Sequence, residues 1–340
     1  EPNKSIFNEV KKVSPGAYLE FSLSNIQVKQ TANKKYWDYM SLILSSKNKI
    51  NNISYEDAKE ELRDLLYEKV KLTMCSDVPL GAFLSGGYDS SCIVSMMQDQ
   101  SNKKIKTFSV GFQEDDFNEA NFSKKISEYI GTDHQDLYVN RQDMINLIED
   151  LPSIYSEPFA DSSQIPTLLL SKMTKSKVTV SLSGDGADEI FGGYRRYFAG
   201  EKTFNTLNQF PLRLRSFMKN YKTISRLGKI LKPFLSSVKR FDQKIYKLES
   251  ILDADSHISM YRNLAEFHYS PFSNKDKLFL DKEVWSSDLS FFEKSMIQDT
   301  VQSLPGDMLT KVDIAGMSVS LETRMPFLNH KIAEFVMNLP

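Results

Sequence analysis

A glycine-rich hexapeptide that directly follows an apolar run most constrains how this chain can fold. The apolar run covers residues 80–84, the hexapeptide Ser-Gly-Gly-Tyr-Asp-Ser covers residues 85–90, and a stretch with a helical pattern follows. Where a strand passes through glycines into a helix, backbone N–H groups and the positive end of the helix dipole converge and favour an anion. The pattern predicts a strand–loop–helix unit with an anion site; the plainer alternative is a glycine turn with a Ser/Asp cap.

The residues around the glycines narrow the kind of anion site. No Lys follows Gly86 and Gly87, so the hexapeptide is not the phosphate loop of P-loop kinases and ATPases. Asp89 would repel a bare phosphate, and a bridging Mg²⁺ reconciles the carboxylate with the anion. Ser85 and Ser90 add hydroxyl donors to the same turn. We therefore expect a phosphate bound together with a divalent cation.

Composition excludes several classes of protein. The chain has 340 residues, 41% hydrophobic and 26% charged, with a net charge of −1, which gives no global attraction to nucleic acid or to an anionic membrane. Its apolar runs are too short to span a bilayer, and residues 1–15 lack a signal-peptide pattern. Cys75 and Cys92 form no C-x-x-C pair, and the four histidines lack ligand spacing. We expect a cytoplasmic protein with no nucleic-acid or membrane partner.

Strand and helix patterns alternate through the middle of the chain. Alternation of this kind predicts an α/β fold, a parallel sheet with helices on both faces, and ligands at the carboxyl ends of the strands. The predicted strands are 80–84, 106–112, 135–139 and 178–182, and the predicted helices are 58–74, 89–98, 117–130, 143–151 and 165–173.

The flanking regions carry different patterns. Residues 17–23 and 26–28 predict short strands, and the polar residues 30–35 look like a linker. Residues 200–310 lack a strand pattern and are expected to be helical. A basic cluster at 213–232 could suggest a nucleic-acid patch, but interleaved apolar residues at helical spacing favour a solvated helix face.

A second glycine loop follows the strand predicted at 178–182. It reads Ser183-Gly184-Asp185-Gly186-Ala187-Asp188-Glu189. Three carboxylates so close to a buried strand are costly unless they bind a cation or perform acid–base work. Alone, the segment could be a solvated acidic turn; paired with the first loop, it predicts a two-sided nucleotide and metal site.

Read together, the loops resemble a known family. SGGxDS followed by SGDGxDExFGGYxRY is similar to the synthetase domain of glutamine-dependent asparagine synthetases of the B type, members of the PP-loop ATP pyrophosphatases. Residues 157–163, 304–313 and 320–330 resemble further motifs of that family, in the family's order. The resemblance runs from about residue 55 to the end. It implies an α/β fold like that of the adenine-nucleotide α-hydrolases, with an additional helical C-terminal part.

The resemblance also implies a division of the chain. Residues 1–38 look like the last strands and the linker of the family's glutaminase domain, a short β tail, and residues 39–340 look like the synthetase domain, truncated at its C-terminus. The implied partners are a small-molecule carboxylate and ammonia from a glutaminase domain missing here, with a homodimer as one expected assembly.

The family adenylates a carboxylate with ATP, releases pyrophosphate, and lets ammonia attack the acyl-adenylate. Carried over by motif, Asp89 and Asp188 would hold Mg²⁺, and Asp185 stands where relatives often have a Glu that deprotonates ammonia. Many relatives have a cation, three residues after the position of Lys311, that would neutralise pyrophosphate; either Lys311 substitutes for it here or activity is reduced. The remaining residues implied to bind ATP share positions in the two loops or at strand ends, namely Leu84, Ser85, Gly86, Gly87, Asp89, Ser90, Val110, Ser183 and Gly184.

Three departures leave alternatives open. Ile314 stands where many relatives have Arg or Lys, Asn329 replaces an Asp, and Tyr88 replaces a Leu. These departures suggest an acceptor other than aspartate, such as a sugar carboxylate in surface-polysaccharide synthesis, or a non-catalytic relative. A tRNA-modifying or NAD-type adenylase of the same superfamily is a further alternative, against which the SGDGADEIFGGY loop argues.

Overall fold

The computed structural model describes residues 4–24, 27–46, 52–112, 120–220, 226, 241–265 and 282–339. The chain divides into two compact units, one comprising residues 1–191 and 300–340 and the other residues 192–299. This division does not test the predicted boundary near residue 38, which stays a prediction.

A five-stranded parallel sheet organises the first unit. Its strands are β3 (Leu80–Phe83), β4 (Lys106–Phe112), β5 (Asp133–Val139), β6 (Val180–Leu182) and β7 (Glu322–Arg324). They lie in the order β5-β4-β3-β6-β7, and each neighbouring pair is parallel. The predicted α/β class and four predicted strands are confirmed. The three-residue strand β7 was not predicted.

Helices cover both faces of this sheet, as predicted. In the first unit they begin with α1 (Tyr39–Ser46), α2 (Tyr55–Thr73), α3 (Tyr88–Asp99), α4 (Ala120–Ile130), α5 (Arg141–Ile148), α6 (Leu151–Ile154), α7 (Gln164–Lys175) and α8 (Ala187–Phe191). Alternate residues of a strand face opposite sides. Phe108 of β4 packs in an apolar cluster with Leu170 and Met173 of α7, whereas Ser109 bonds to Ser123 of α4 on the other side.

Local sequence explains where several helices begin. Ser54 accepts a hydrogen bond from the Asp57 amide at the start of α2, and Glu56 and Asp57 lie in its first turn, where carboxylates favour the helix dipole. Asn140 and Asp143 form a reciprocal capping box that starts α5. The predicted start of α4 at residue 117 lies outside the described residues.

The N-terminal part forms an antiparallel hairpin of β1 (Ala17–Ser24) and β2 (Gln27–Lys35). The expectation of a linker at 30–35 was wrong, because these residues belong to β2. Strand pairing uses backbone groups, and nearly every β2 side chain is exposed, so polar residues there carry no burial cost. Assignment of the hairpin to a glutaminase domain stays a prediction.

The second unit is helical where it is described, as predicted. Its helices are α9 (Arg195–Leu207), α10 (Leu212–Asn220), α11 (Phe241–Ile251), α12 (His257–Ala265), α13 (Lys282–Ser286) and α14 (Phe291–Gln298). Arg196, Tyr197 and Tyr261 donate hydrogen bonds to the buried carboxylate of Asp299. Arg215 of the basic cluster is buried and donates to the Ala254 carbonyl, so it is not part of a solvated face.

The rest of the first unit follows this helical region in sequence. A π-helical segment at Asp299–Met308 continues into α15 (Leu309–Met317), then β7, a 3₁₀ turn at Pro326–Leu328 and α16 (His330–Val336). Asn329 caps α16 by accepting a bond from the Lys331 amide, a role that Asp could equally serve. Within the described ranges, each helix is too short or too polar to span a bilayer.

Candidate functional site

The first glycine loop is held in shape by its own serines. Ser85 and Ser90 are joined Oγ to Oγ at 3.0 Å, and the Ser85 amide donates to Ser90 Oγ at 3.2 Å. The Gly87 amide donates to Ser85 Oγ at 3.2 Å. Gly86 has a φ of 82°, in the left-handed region that favours glycine. The loop is thus closed by short-range bonds before α3 begins at Tyr88, whose side chain is exposed.

The second glycine loop is anchored at the end of β6. The Ser183 amide donates to the Arg324 carbonyl at 2.8 Å, and Ser183 Oγ donates to Asp185 Oδ2 at 2.7 Å. Gly186 has a φ of 90°, and a Cβ there would lie 2.2 Å from a methyl carbon of Leu328. Asp188 lies in the first turn of α8. Asp185 and Asp188 therefore lie in a turn that is anchored at Ser183 and packed closely against Leu328 at Gly186.

The two glycine loops touch each other. A Cβ on Gly184 would lie 2.7 Å from the Ser90 amide nitrogen and 2.9 Å from the Asp89 carbonyl carbon. Only glycine permits this approach. Because β3 and β6 are neighbouring parallel strands, their carboxyl ends present both loops at the same edge of the sheet. The loop residues predicted to bind nucleotide are therefore brought together.

Three carboxylates interact electrostatically across this contact. Burial, followed by the charges of Asp188 and Asp185, raises the pKa of Asp89 above its usual value. Burial and the Asp89 charge also raise the pKa of the nearby Cys92 thiol. Carboxylates that repel one another at a glycine loop destabilise the protein unless a cation or proton neutralises them.

This arrangement fits a divalent cation bound together with phosphate. The described residues contain no group of three or more His, Cys, Asp or Glu side chains arranged to hold a metal. Mg²⁺ commonly takes one or two protein carboxylates and completes its octahedron with phosphate oxygens and waters. Asp89 and Asp188, one from each loop, meet that requirement.

Two predicted site residues belong to elements other than the two glycine loops. Val110 is on β4, paired with Leu137 of β5, two residues beyond the Phe108 carbonyl that accepts the Leu84 amide. Lys311 is buried on α15, where its Nζ donates to Asp161 Oδ2 at 2.8 Å and Ser163 Oγ at 2.7 Å. Neither glycine loop takes part in these bonds of Lys311 to Asp161 and Ser163.

The Lys311 ion pair was missed by sequence reasoning. Burial alone would raise the pKa of Asp161, but the bonds from Lys311 and Ser163 outweigh burial and hold that pKa below its usual value. Burial, followed by Asp161, raises the pKa of Tyr155 to about 12. Burial and then Asp161 likewise raise the pKa of Asp307. The only sequence signal was the presence of Asp161 and Lys311 in two separate motifs.

Ile314 lies beside this cluster and has a packing role. It packs against the apolar cluster formed by Leu147, Tyr155, Leu168 and Ala315. The position at which a cation was expected from the resemblance therefore contributes apolar contacts between α15 and α7.

Lys311→Met should lower the free energy of unfolding by about 3 kcal/mol, because it leaves the mostly buried Asp161 carboxylate uncompensated.

The stabilisation that Asp161 contributes should depend on pH. Since the pKa of Asp161 is lowered on folding, this stabilisation of the folded state is complete above the unfolded pKa of about 3.9 and is lost as pH falls through the folded value. Urea unfolding of Asp161→Asn should accordingly show a smaller loss of stability in acid than the unsubstituted chain.

The matched control is Lys331→Met, which removes an exposed ion pair with Glu334 and should cost about 0.5 kcal/mol or less. Equal losses for the two lysine variants would contradict the buried-pair interpretation.

Comparisons with known proteins agree with this geometry. The family described as Asparagine synthase matches residues 61–340. The chain is 30% identical to "Asparagine synthetase [glutamine-hydrolyzing] 1" of Bacillus subtilis, covering 97% of this chain and 50% of that protein. It is 46% identical to "Putative asparagine synthetase [glutamine-hydrolyzing] 2" of Methanocaldococcus jannaschii, over 42% of this chain and 27% of that protein.

One relative, from a fungus, has a name other than asparagine synthetase. The chain is 24% identical to "Amidase chyE" of Penicillium rubens, covering 99% of this chain and 53% of that protein. The chain thus spans about half the length of the Bacillus and Penicillium relatives. The family match covers most of the chain, and the paired glycine loops lie within it, so this chain belongs to the asparagine synthase family.

Proposed function

We propose that this chain activates a carboxylate with ATP and transfers the activated acyl group to ammonia. The observation that carries this proposal is the contact between the two glycine loops, which brings Asp89 within electrostatic reach of Asp185 and Asp188. Membership of the asparagine synthase family supports ATP-dependent amidation as the class of reaction.

In this proposal each loop has a separate task. The first loop surrounds pyrophosphate with Ser85, Gly86, Gly87 and Ser90, whose hydroxyl and amide groups already bond one another in a compact turn. Backbone groups at Leu84, Val110, Ser183 and Gly184 line the AMP part of the nucleotide. Asp89 and Asp188 hold Mg²⁺, which when bound neutralises charge on the phosphates.

The proposed reaction has two steps. An oxygen of the acceptor carboxylate attacks the α-phosphorus of ATP, and the bond to pyrophosphate breaks. Ammonia then attacks the acyl carbon, AMP leaves with the electron pair of the acyl–oxygen bond, and Asp185 receives the proton that nitrogen loses. Ser183 Oγ fixes one oxygen of Asp185 at 2.7 Å, which orients the carboxylate before ammonia arrives.

In this scheme Lys311 also neutralises pyrophosphate, in place of the cation that Ile314 does not supply. Its ion pair with Asp161 competes with that task, since the same ammonium group must serve both anions. The two loop aspartates therefore carry more of the proposal than Lys311 does.

Aspartate is the first acceptor to consider, because several relatives are named asparagine synthetases. The departures from the family pattern at Tyr88 and Ile314 support an acceptor other than aspartate, and a sugar carboxylate is the second candidate. The proposed setting is the cytoplasm, with ammonia supplied by a glutaminase domain and a homodimer as the assembly. Relatives named as glutamine-hydrolyzing support that ammonia source.

The test is ATP–pyrophosphate exchange by the purified chain, followed by amide and AMP formation with ammonium chloride. Aspartate, uronic acids and carboxylate-bearing sugar nucleotides form the acceptor panel, and we expect one of them to stimulate exchange and to become an amide. ATP binding without exchange on any acceptor would identify a non-catalytic relative. Binding of tRNA with exchange on a tRNA-linked substrate would favour the other adenylases of the superfamily.

A further inference from the structure

A row of polar side chains lies between the sheet and α4, outside the residues assigned above. Thr107 and Ser109 project from β4, and His134 and Asp136 stand beside them on β5, in register. Ser123 of α4 covers the row. Thr107, Ser109 and Ser123 are buried, and the side chains of His134 and Asp136 are only 7% and 16% exposed. Groups this buried are retained at a cost unless they bond one another.

The members of the row form one continuous chain of hydrogen bonds. Ser123 Oγ shares its proton between Ser109 Oγ at 3.1 Å and the Ala120 carbonyl oxygen of its own helix at 3.0 Å, and Ser109 Oγ donates to Asp136 Oδ1. His134 Nε2 lies 2.8 Å from the same carboxylate oxygen, and His134 Nδ1 lies 2.8 Å from Thr107 Oγ1. Bonds to a buried carboxylate are stronger than bonds between neutral groups. Asp136 therefore fixes Ser109, and through it the side chain of Ser123.

The backbone of Ser123 in turn contacts the first glycine loop. A Cβ on Gly86 would lie 2.8 Å from the Ser123 nitrogen and 3.0 Å from the Phe122 carbonyl carbon. Gly86 is thus seated against α4, and the φ of 82° that shapes the loop occurs at this contact. A shift of α4 away from the sheet would remove the support beneath the loop.

We propose that Ser123, Ser109 and Asp136 are positioning residues for the phosphate of a bound nucleotide. They tie α4 to the sheet, and α4 holds Gly86 and the loop amides in the binding geometry without touching the ligand. This inference rests on the proposed function, because it takes the loop at residues 85–90 as the phosphate site.

The decisive comparison uses two serines of the same helix. Ser123 and Ser127 are both buried, and each hydroxyl bonds a carbonyl of its own helix, at Ala120 and Lys124 respectively. Ser123 also bonds Ser109 of β4, so Ser123→Ala removes this connection to the sheet and Ser127→Ala does not. Ser123→Ala should weaken ATP binding in the presence of Mg²⁺ by about tenfold, a common effect of supporting residues around a site. It should also speed amide hydrogen exchange in residues 84–90 without ligand. Ser127→Ala should change neither measurement.

Ser109→Ala provides an independent second variant, because it breaks the same connection from the strand side. It should reproduce both effects, and thermal unfolding of each variant checks that the fold is retained. The positioning role is overturned if Ser123→Ala and Ser109→Ala match Ser127→Ala both in amide hydrogen exchange of residues 84–90 and in ATP affinity. Failure of the unsubstituted chain to bind ATP would overturn the proposed function instead. Faster amide hydrogen exchange of residues 84–90 in the two variants would then still show that Ser123 and Ser109 hold the loop in place.

Discussion

Asp89→Asn and Asp188→Asn are each expected to lower Mg²⁺-dependent ATP–pyrophosphate exchange by about 100-fold or more, the scale for loss of a group that stabilises charge in a transition state. Each carboxylate follows a glycine turn, and the two interact across the contact of the loops. The amide keeps the shape of the side chain but loses the charge that attracts the cation. Exchange rates measured over a range of Mg²⁺ concentrations test the expectation.

The control is Asp99→Asn, at the opposite end of the helix that carries Asp89, where the carboxylate accepts a bond from the Tyr67 hydroxyl. It should leave exchange unchanged. Near-normal exchange in both site variants would remove the metal assignment.

Asp89→Asn, which should lower activity, is expected to stabilise the ligand-free protein. Folding raises the pKa of Asp89, so the folded state binds its proton more tightly, and the resulting destabilisation is present above the folded pKa and absent below the unfolded pKa. Asp89→Asn should therefore raise the melting temperature of the ligand-free protein at neutral pH. An inactive but more stable variant would show that the charge serves binding rather than folding.

Asp185→Asn is expected to separate the two half-reactions. If Asp185 is the base for ammonia, the variant keeps ATP–pyrophosphate exchange while amide formation falls by about 100-fold or more, the usual scale for a positioned base. The Ser183 hydroxyl that now donates to Asp185 can donate equally to the amide oxygen of Asn, which preserves the local geometry. ATP–pyrophosphate exchange and amide formation are measured on the same preparation, with the acceptor that the panel of carboxylates identifies.

Ser183→Ala is the companion variant, since it removes the bond that orients Asp185 but leaves the carboxylate. It should lower amide formation by less than Asp185→Asn does. A parallel collapse of exchange and amide formation in Asp185→Asn would mean that Asp185 shapes the nucleotide site and is not a dedicated base.

The parts of the fold that sequence predicted are those fixed by local pattern. Strand β4 was predicted with its observed bounds, 106–112, where Phe108, Val110 and Phe112 alternate with small or polar residues, as is typical of a strand. The glycine loops were predicted as one site because parallel strands place their carboxyl ends at one edge. The close contact of Gly184 with the first glycine loop shows that the two loops do lie together.

The parts that were missed depend on contacts between distant segments. Strand β7 is three residues long and exists because it pairs with β6, which no short window of sequence reveals. Strand β2 has a polar sequence with mostly exposed side chains, and it is held mainly by backbone pairing with β1. The bond between Lys311 and Asp161 joins residues 150 positions apart, so neither motif predicted it separately.

The position of β7 has a consequence for synthesis on the ribosome. Leu182 of β6 pairs with Arg324 of β7, and the helical unit at residues 192–299 is translated between them. At a synthesis rate of about 5–20 residues per second, this edge of β6 lacks its partner strand for roughly 7–30 s. An unpaired strand edge invites association with other chains during that interval. Chain elongation beyond residue 324 thus completes the sheet, and nascent chains stalled before it should depend on chaperones more than released ones do.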